Sequence, residues 1–212
     1  MKITKFVHSC LLVEDSGSTA LFDPGNFSYD AGFFTPLSFN ALDDIIITHA
    51  HSDHCHIPLL HELVKAFPNV VITTIPDVAS KLTALGFSNV KTEGNANIKM
   101  FAVNHEPVEP VGKTPANTGF HYLDKITNPG DGYGFTQSKD ILILPVTAPW
   151  GCLVKAAELI LQLKPKYVIP VHDWHWNVTA RQQAYITLQD FCDQNGITFL
   201  SPVDGKAMQI EA

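Results

Sequence analysis

Residues 43–56 read DDIIITHAHSDHCH, three isoleucines and a threonine followed by a crowd of histidines around one aspartate. A short apolar run bounded by acids is the pattern of a buried strand. Imidazoles massed at its end are the pattern of a site. In an extended segment residues two apart point to the same side, so His49 and His51 can grip one metal ion. Asp53 and His54, beyond the strand, can turn to a second. With 10 histidines in 212 residues, chance alone rarely sets H, H, D and H at these spacings.

Imidazole suits zinc, iron, manganese or nickel, and two ions need about six to eight donors. The cluster supplies four of them. Three distant positions fit the remainder: His105 in FAVNHEP, Asp131 in NPGDGYG and His172 in VIPVHDW, each at a strand end or in the turn beyond. Taken singly they are ordinary, two strand-end histidines and an Asp-Gly turn. Mixed and parallel sheets, however, gather strand ends at one edge, where sites form.

The elements around them alternate. KITKFV, CLLVE and TALFD read as a meander of strands, and residues 24–40, with Pro, Gly and five aromatics, as a long loop. That loop fits either a pocket border or a contact between copies in a homo-oligomer. Pro58 suits a first helical turn, and Leu60, Leu63, Val64 and Phe67 follow at helical spacing. Strand VVITT, helix PDVASKLTALG, strands NIKMFAV and NTGFHYLDKI and the turn-rich NPGDGYG come next. The last third gives strand DILILPV, helix LVKAAELILQL, strand KYVIPV, helix TARQQAYITLQDFCDQ closed by Asn195-Gly196, and short strands ITFL and KAMQI. No linker interrupts the pattern, so one domain over 1–212 is expected, with two sheets face to face and helices outside.

Composition excludes several classes. Apolar residues make up 45% of the chain, enough for a core. A net charge of -7 and no basic run argue against nucleic acid as a partner. No apolar stretch approaches the ~20 residues of a membrane span, and the start lacks the apolar core of a signal peptide, which gives a cytoplasmic expectation. Cys10, Cys55, Cys152 and Cys192 form no CxxC pair and read as reduced thiols.

The motif HAHSDH, the preceding TALFDPG, the segment NPGD and the pairing of LPVTAPWG with IPVHDW resemble the metallo-beta-lactamase superfamily over nearly the whole chain. Within it the chain looks like a compact bacterial hydrolase-like group, similar to the ascorbate phosphate lactonases and the N-acyl phosphatidylethanolamine phospholipases. The resemblance implies an α+β fold, a four-layer αββα sandwich of two mixed sheets. It implies that His49, His51 and His105 bind one metal, that Asp53, His54 and His172 bind the other, that Asp131 bridges them, and that Asp23 steadies a ligand. Relatives usually carry Thr or Ser after the bridging aspartate, where this chain has Gly132.

Two divalent ions, zinc first and manganese or iron next, would hold a bridging hydroxide that attacks an ester, lactone or phosphodiester of a small molecule. Asp53 would aim it, and His8 or His121 would stabilise the oxyanion. For His8 a role in substrate contact and a structural one are equally workable. His56, His61 and the WHW segment at 174–176 fit surface, capping or core roles as well as a pocket wall. The alternatives are a non-catalytic metal-binding or sensor protein and a diiron redox protein. The second is disfavoured because its relatives carry Glu where His51 stands.

Overall fold

The computed structural model describes residues 1–32 and 40–211. Residues 33–39, part of the stretch expected to border a pocket or join copies, lie outside the described residues. Two compact units divide the chain: Met1–Gly94 with Val203–Glu211, and Asn95–Pro202.

The first unit opens with the antiparallel meander β1 (Lys2–Lys5), β2 (Leu11–Asp15) and β3 (Ser18–Phe22). Ser16 and Gly17, both with positive φ, make its tight second turn. Then come α1 (Asn26–Asp30), β4 (Asp44–Ile46), α2 (Ile57–Ala66), β5 (Val71–Thr73), α3 (Pro76–Ala84) and β6 (Val90–Lys91), with β3, β4, β5 and β6 parallel. Parallel neighbours need crossover connections, which is why helices enter the sequence here. Ile45 and Ile46 of β4 are fully buried on alternate faces, as a parallel strand requires. Leu59, Leu60 and Leu63 of α2 and Val78, Ala79 and Leu82 of α3 form the buried stripes.

The second unit carries β7 (Ile98–Ala102), β8 (Thr118–Tyr122), β9 (Ile126–Asn128), β10 (Ile141–Pro145), α4 (Leu153–Leu163), β11 (Tyr167–Val171), α5 (Val178–Gln194) and β12 (Thr198–Phe199). Its sheet order is β12-β11-β10-β9-β8-β7, antiparallel from β7 to β9 and parallel from β9 to β12. Leu142, Leu144 and Val168 pack with Ala156 and Ile160 of α4 and Leu188 and Cys192 of α5. Finally β13 (Ala207–Gln209) returns to pair antiparallel with β1, and Lys5 Nζ holds Asp204 at 3.1 Å beside it. The chain is therefore α+β with two mixed sheets, as expected. No helix among the described residues is long and apolar enough to cross a membrane.

Three local expectations change. The stretch 24–40 is not all loop, because Asn26–Asp30 coil into α1. NTGFHYLDKI is not one strand: it folds back between Tyr122 and Ile126, with Leu123 and Asp124 at φ 52° and 57°. Neither is the glycine or asparagine that usually marks such a turn. The strand before the histidines ends at Ile46, so HAHSDH lies on a bend and turn rather than on extended chain.

Candidate metal centre

In each unit the candidate residues sit just past strand ends. In the first unit Asp23 follows β3 and the segment Thr48–His54 follows β4. Asp23 is 1% exposed and accepts from Thr48 N at 2.8 Å, from Thr48 Oγ1 at 3.0 Å and from His54 Nδ1 at 3.1 Å. A carboxylate only accepts, so the His54 proton is on Nδ1 and its Nε2 carries the lone pair. Thr48 has one hydroxyl proton and gives it to Asp23. Toward His49 Nδ1, 3.0 Å away, Thr48 Oγ1 therefore accepts, which leaves His49 Nε2 as a second lone pair. That Nε2 lies 3.2 Å from His51 Nδ1, brought there by a turn in which His54 N and Cys55 N both bond to His51 O.

The turn is clamped from outside. Asn26 N bonds to Ser52 O and His56 N to Pro24 O. A Cβ on Gly25 would stand 1.7 Å from Asp53 O, so only glycine permits this approach. The loop before β2 is held by α1: Ser28 Oγ bonds to both Val7 N and Val7 O, and Phe27 meets the His8 ring edge-on at 5.1 Å. His8 is 2% exposed, and its Nε2 lies 3.0 Å from Asp53 Oδ2. Ligand atoms of His8, Asp53 and His54 lie within 4.8 Å of one another.

In the second unit Asp131 follows β9 and His172 follows β11, with His105 beyond β7. His105 Nδ1 donates to Glu106 O at 2.5 Å and His172 Nδ1 to Thr147 O at 2.7 Å. Both therefore carry the lone pair on Nε2, and these atoms stand 3.4 Å and 3.1 Å from Asp131 Oδ2. Asn117 stitches the two loops together: its Nδ2 donates to Val103 O and Pro129 O, and its Oδ1 accepts from Asp131 N. A Cβ on Gly132 would stand 2.4 Å from Asn104 O. The glycine that replaces the usual Thr or Ser is thus the residue that lets the Asp131 loop close on the His105 loop. Trp150, half-buried, leans on both histidines, with ring centroids 5.8 Å from His105 and 5.3 Å from His172.

His8, Asp23 and His172 have φ of 63°, 44° and 65°. Non-glycine residues rarely adopt this left-handed region, which costs of order 1–3 kcal/mol each, and such strain gathers at functional sites.

The donor set fits divalent cations. His49, His54, His105 and His172 each have Nδ1 fixed by an acceptor and Nε2 free of the ring proton, the arrangement that orients imidazole ligands and raises their basicity. Carboxylates stand beside them in both units.

Other expected residues are placed elsewhere. His121, expected to stabilise an oxyanion, takes its face from the register. It pairs with Thr127, which pairs with Leu142 on the face covered by α4 and α5. There its ring stacks on Phe101 at 4.6 Å and bonds to Thr127 Oγ1, and burial lowers its pKa. His56 caps α2 and rests against Tyr29, while His61 stacks on Phe87. Asp173 turns away from His172 toward Tyr185 on α5, whose hydroxyl donates to it at 2.5 Å. Trp176 packs on the core and Trp174 is exposed. Cys55 is buried, and burial pushes its thiol up to about 11, so it is not a thiolate at neutral pH. Sequence reasoning missed Thr48, Asn117 and Thr147, ordinary residue types whose roles lie in backbone and hydroxyl geometry.

Residues 2–172 match the family described as the beta-lactamase superfamily domain. The chain belongs to the metallo-beta-lactamase superfamily. It is 31% identical over 211 residues to a UPF0173 metal-dependent hydrolase of Carboxydothermus hydrogenoformans, covering 85% of this chain and 88% of that one. It is 28% identical over 184 residues to protein Rv0786c of Mycobacterium tuberculosis, covering 81% and 84%. Its fold matches that of a metal-dependent hydrolase from Parabacteroides distasonis, with TM-score 0.69, 20% identity and coverage of 93% and 90%.

Proposed function

We propose that this protein is a dinuclear metal-dependent hydrolase acting on an ester, lactone or phosphodiester of a small molecule. The observation that carries the reading is the fixed Nδ1 of His49, His54, His105 and His172, which leaves four lone pairs beside Asp53 and Asp131. Superfamily membership and the hydrolase description of the Carboxydothermus relative support it.

In this reading, which follows the superfamily resemblance, His49, His51 and His105 would hold one cation, Asp53, His54 and His172 would hold the other, and Asp131 would serve both, within one domain over 1–212. Two divalent cations, with zinc the best match to this donor set, supply the Lewis acidity that makes water a nucleophile near neutral pH and polarises a carbonyl or phosphoryl oxygen. The chain does the rest. Asp53, oriented by His8, accepts a hydrogen bond from the attacking water and aims it. Asp23 and the Glu106 and Thr147 carbonyls keep the imidazoles in the ligating tautomer. Four free thiols, Cys10, Cys55, Cys152 and Cys192, support a reducing, cytoplasmic setting.

The test is turnover of p-nitrophenyl acetate, bis-p-nitrophenyl phosphate and a γ-lactone by protein loaded with Zn, Mn or Fe. Hydrolysis of at least one substrate, abolished by His105→Ala and by His172→Ala, is expected. A metal-loaded protein inert toward all three, or activity that survives both changes, contradicts the reading.

A further inference from the structure

We infer that Trp150 is the specificity-determining residue of this site and that it takes the apolar acyl chain of a neutral carboxylic ester or lactone. The inference deepens the hydrolase reading and rests on it for the site but not for the binding surface.

Trp150 sits in the loop between β10 and α4, beside the His105 and His172 rings. Those histidines are 4% and 6% exposed, yet the larger and far more apolar indole next to them is only half-buried. A tryptophan left partly open to water needs a reason. Tyr133, Leu153 and Trp176 rest on the core cluster of this unit, whereas the ring contacts of Trp150 are with Tyr133, His105 and His172. What holds it is the loop itself. Ala148 and Gly151 exchange backbone bonds, Ala148 N to Gly151 O at 3.3 Å and Gly151 N to Ala148 O at 3.1 Å, which forces the intervening Pro149 and Trp150 outward. A Cβ on Gly151 would stand 2.8 Å from Tyr133 Oη, so the loop lies tight against that ring. Tyr133 is in turn fixed by donation to Pro145 O at 2.8 Å and meets the indole edge-on at 5.5 Å. Lys155 Nζ donates to the Trp150 carbonyl at 3.1 Å.

The indole is thus held beside two ligand-type histidines, at ring-centroid distances of 5.8 and 5.3 Å, and stays partly open to water. Such a surface gains free energy when an apolar group covers it, and its position ties that gain to a group attached to the reacting carbonyl. The loop itself adds no cation for a phosphodiester. Lys155, the cation tied to this loop, is engaged by Glu106 at 3.4 Å and by the Trp150 carbonyl, and offers no counter-charge to an anionic substrate. The chain as a whole carries -7.

The experiment compares wild type, Trp150→Ala and Trp150→Phe. Zinc content is measured first and is expected to be equal in all three. Values of kcat/KM for p-nitrophenyl acetate, butyrate and octanoate are then compared, and binding of acetate and octanoate, the acid products, is measured by calorimetry. The wild type is expected to favour octanoate over acetate by about tenfold or more in both readouts, given that a buried methylene contributes roughly fourfold. Trp150→Ala should erase that preference, lowering kcat/KM for octanoate at least tenfold more than for acetate, and Trp150→Phe should keep most of it. Absence of chain-length preference in the wild type, or equal losses on acetate and octanoate, overturns the inference. If no ester is turned over while octanoate still binds through Trp150, the hydrolase reading has failed and the binding surface has not.

Discussion

Replacement of Asp23 by Asn tests whether the site is organised by groups that never touch the metal. Position 23 has φ 44°, a conformation that Asn tolerates about as well as Asp, so the backbone needs no rearrangement. The Asn oxygen can keep both bonds from Thr48, but its NH2 then faces His54 Nδ1–H, 3.1 Å away, donor against donor. One hydrogen bond to a buried charge is lost, worth about 1.5–3 kcal/mol. His54 relieves the clash by moving its proton to Nε2 or by rotating, and either change withdraws the lone pair. Loss of such an orienting partner costs 10–100-fold in metal affinity, about 1.4–2.7 kcal/mol, so the two estimates agree. Zinc affinity measured by competition with a chelator should therefore fall 10–100-fold in Asp23→Asn, with circular dichroism unchanged. A folded variant that binds zinc within twofold of wild type refutes the reasoning.

Gly132→Ser, which restores the residue type usual among relatives, should lower Tm by about 3–10 °C, because its Cβ meets Asn104 O at 2.4 Å; an unchanged melting curve contradicts the packing. Asp44, pushed up to about 6 by burial and by Asp43, is neutral in both states below about pH 4. Between about pH 4 and about pH 6 the unfolded chain ionises first and native stability is lost, so Asp44→Asn should raise Tm at pH 7.5 and not at pH 4; a gain equal at both is the wrong sign dependence. His121→Ala should leave zinc affinity within twofold and lower stability by about 1–2 kcal/mol through the lost ring on Phe101. A loss of metal as large as that in His172→Ala would return His121 to the site.

The candidate site was legible in the sequence where side-chain type carries the signal. His49, His51, Asp53 and His54 announce themselves by spacing, and His105, Asp131 and His172 by standing just past apolar runs that became β7, β9 and β11. What was hidden is geometry carried by the backbone. His105 and His172 are fixed by the carbonyls of Glu106 and Thr147, and a carbonyl belongs to every residue alike. The turn at Leu123-Asp124 uses left-handed conformations without the glycine that signals them, so β8 and β9 read as one strand. The short helix α1 was masked by aromatic and turn-forming neighbours, although its Ser28 steadies the loop that carries His8. His121 shows the converse: a polar residue on a strand gives no sign of which face it takes until the register is known.

Metal content is the most direct test of the central claim. The protein, purified without added metal and then equilibrated with zinc and desalted, should carry about two ions per chain by elemental analysis, dropping to about one or fewer in Asp131→Asn and in His51→Ala. Fewer than about one ion per chain in the wild type, or a content that neither change lowers, would contradict the dinuclear site.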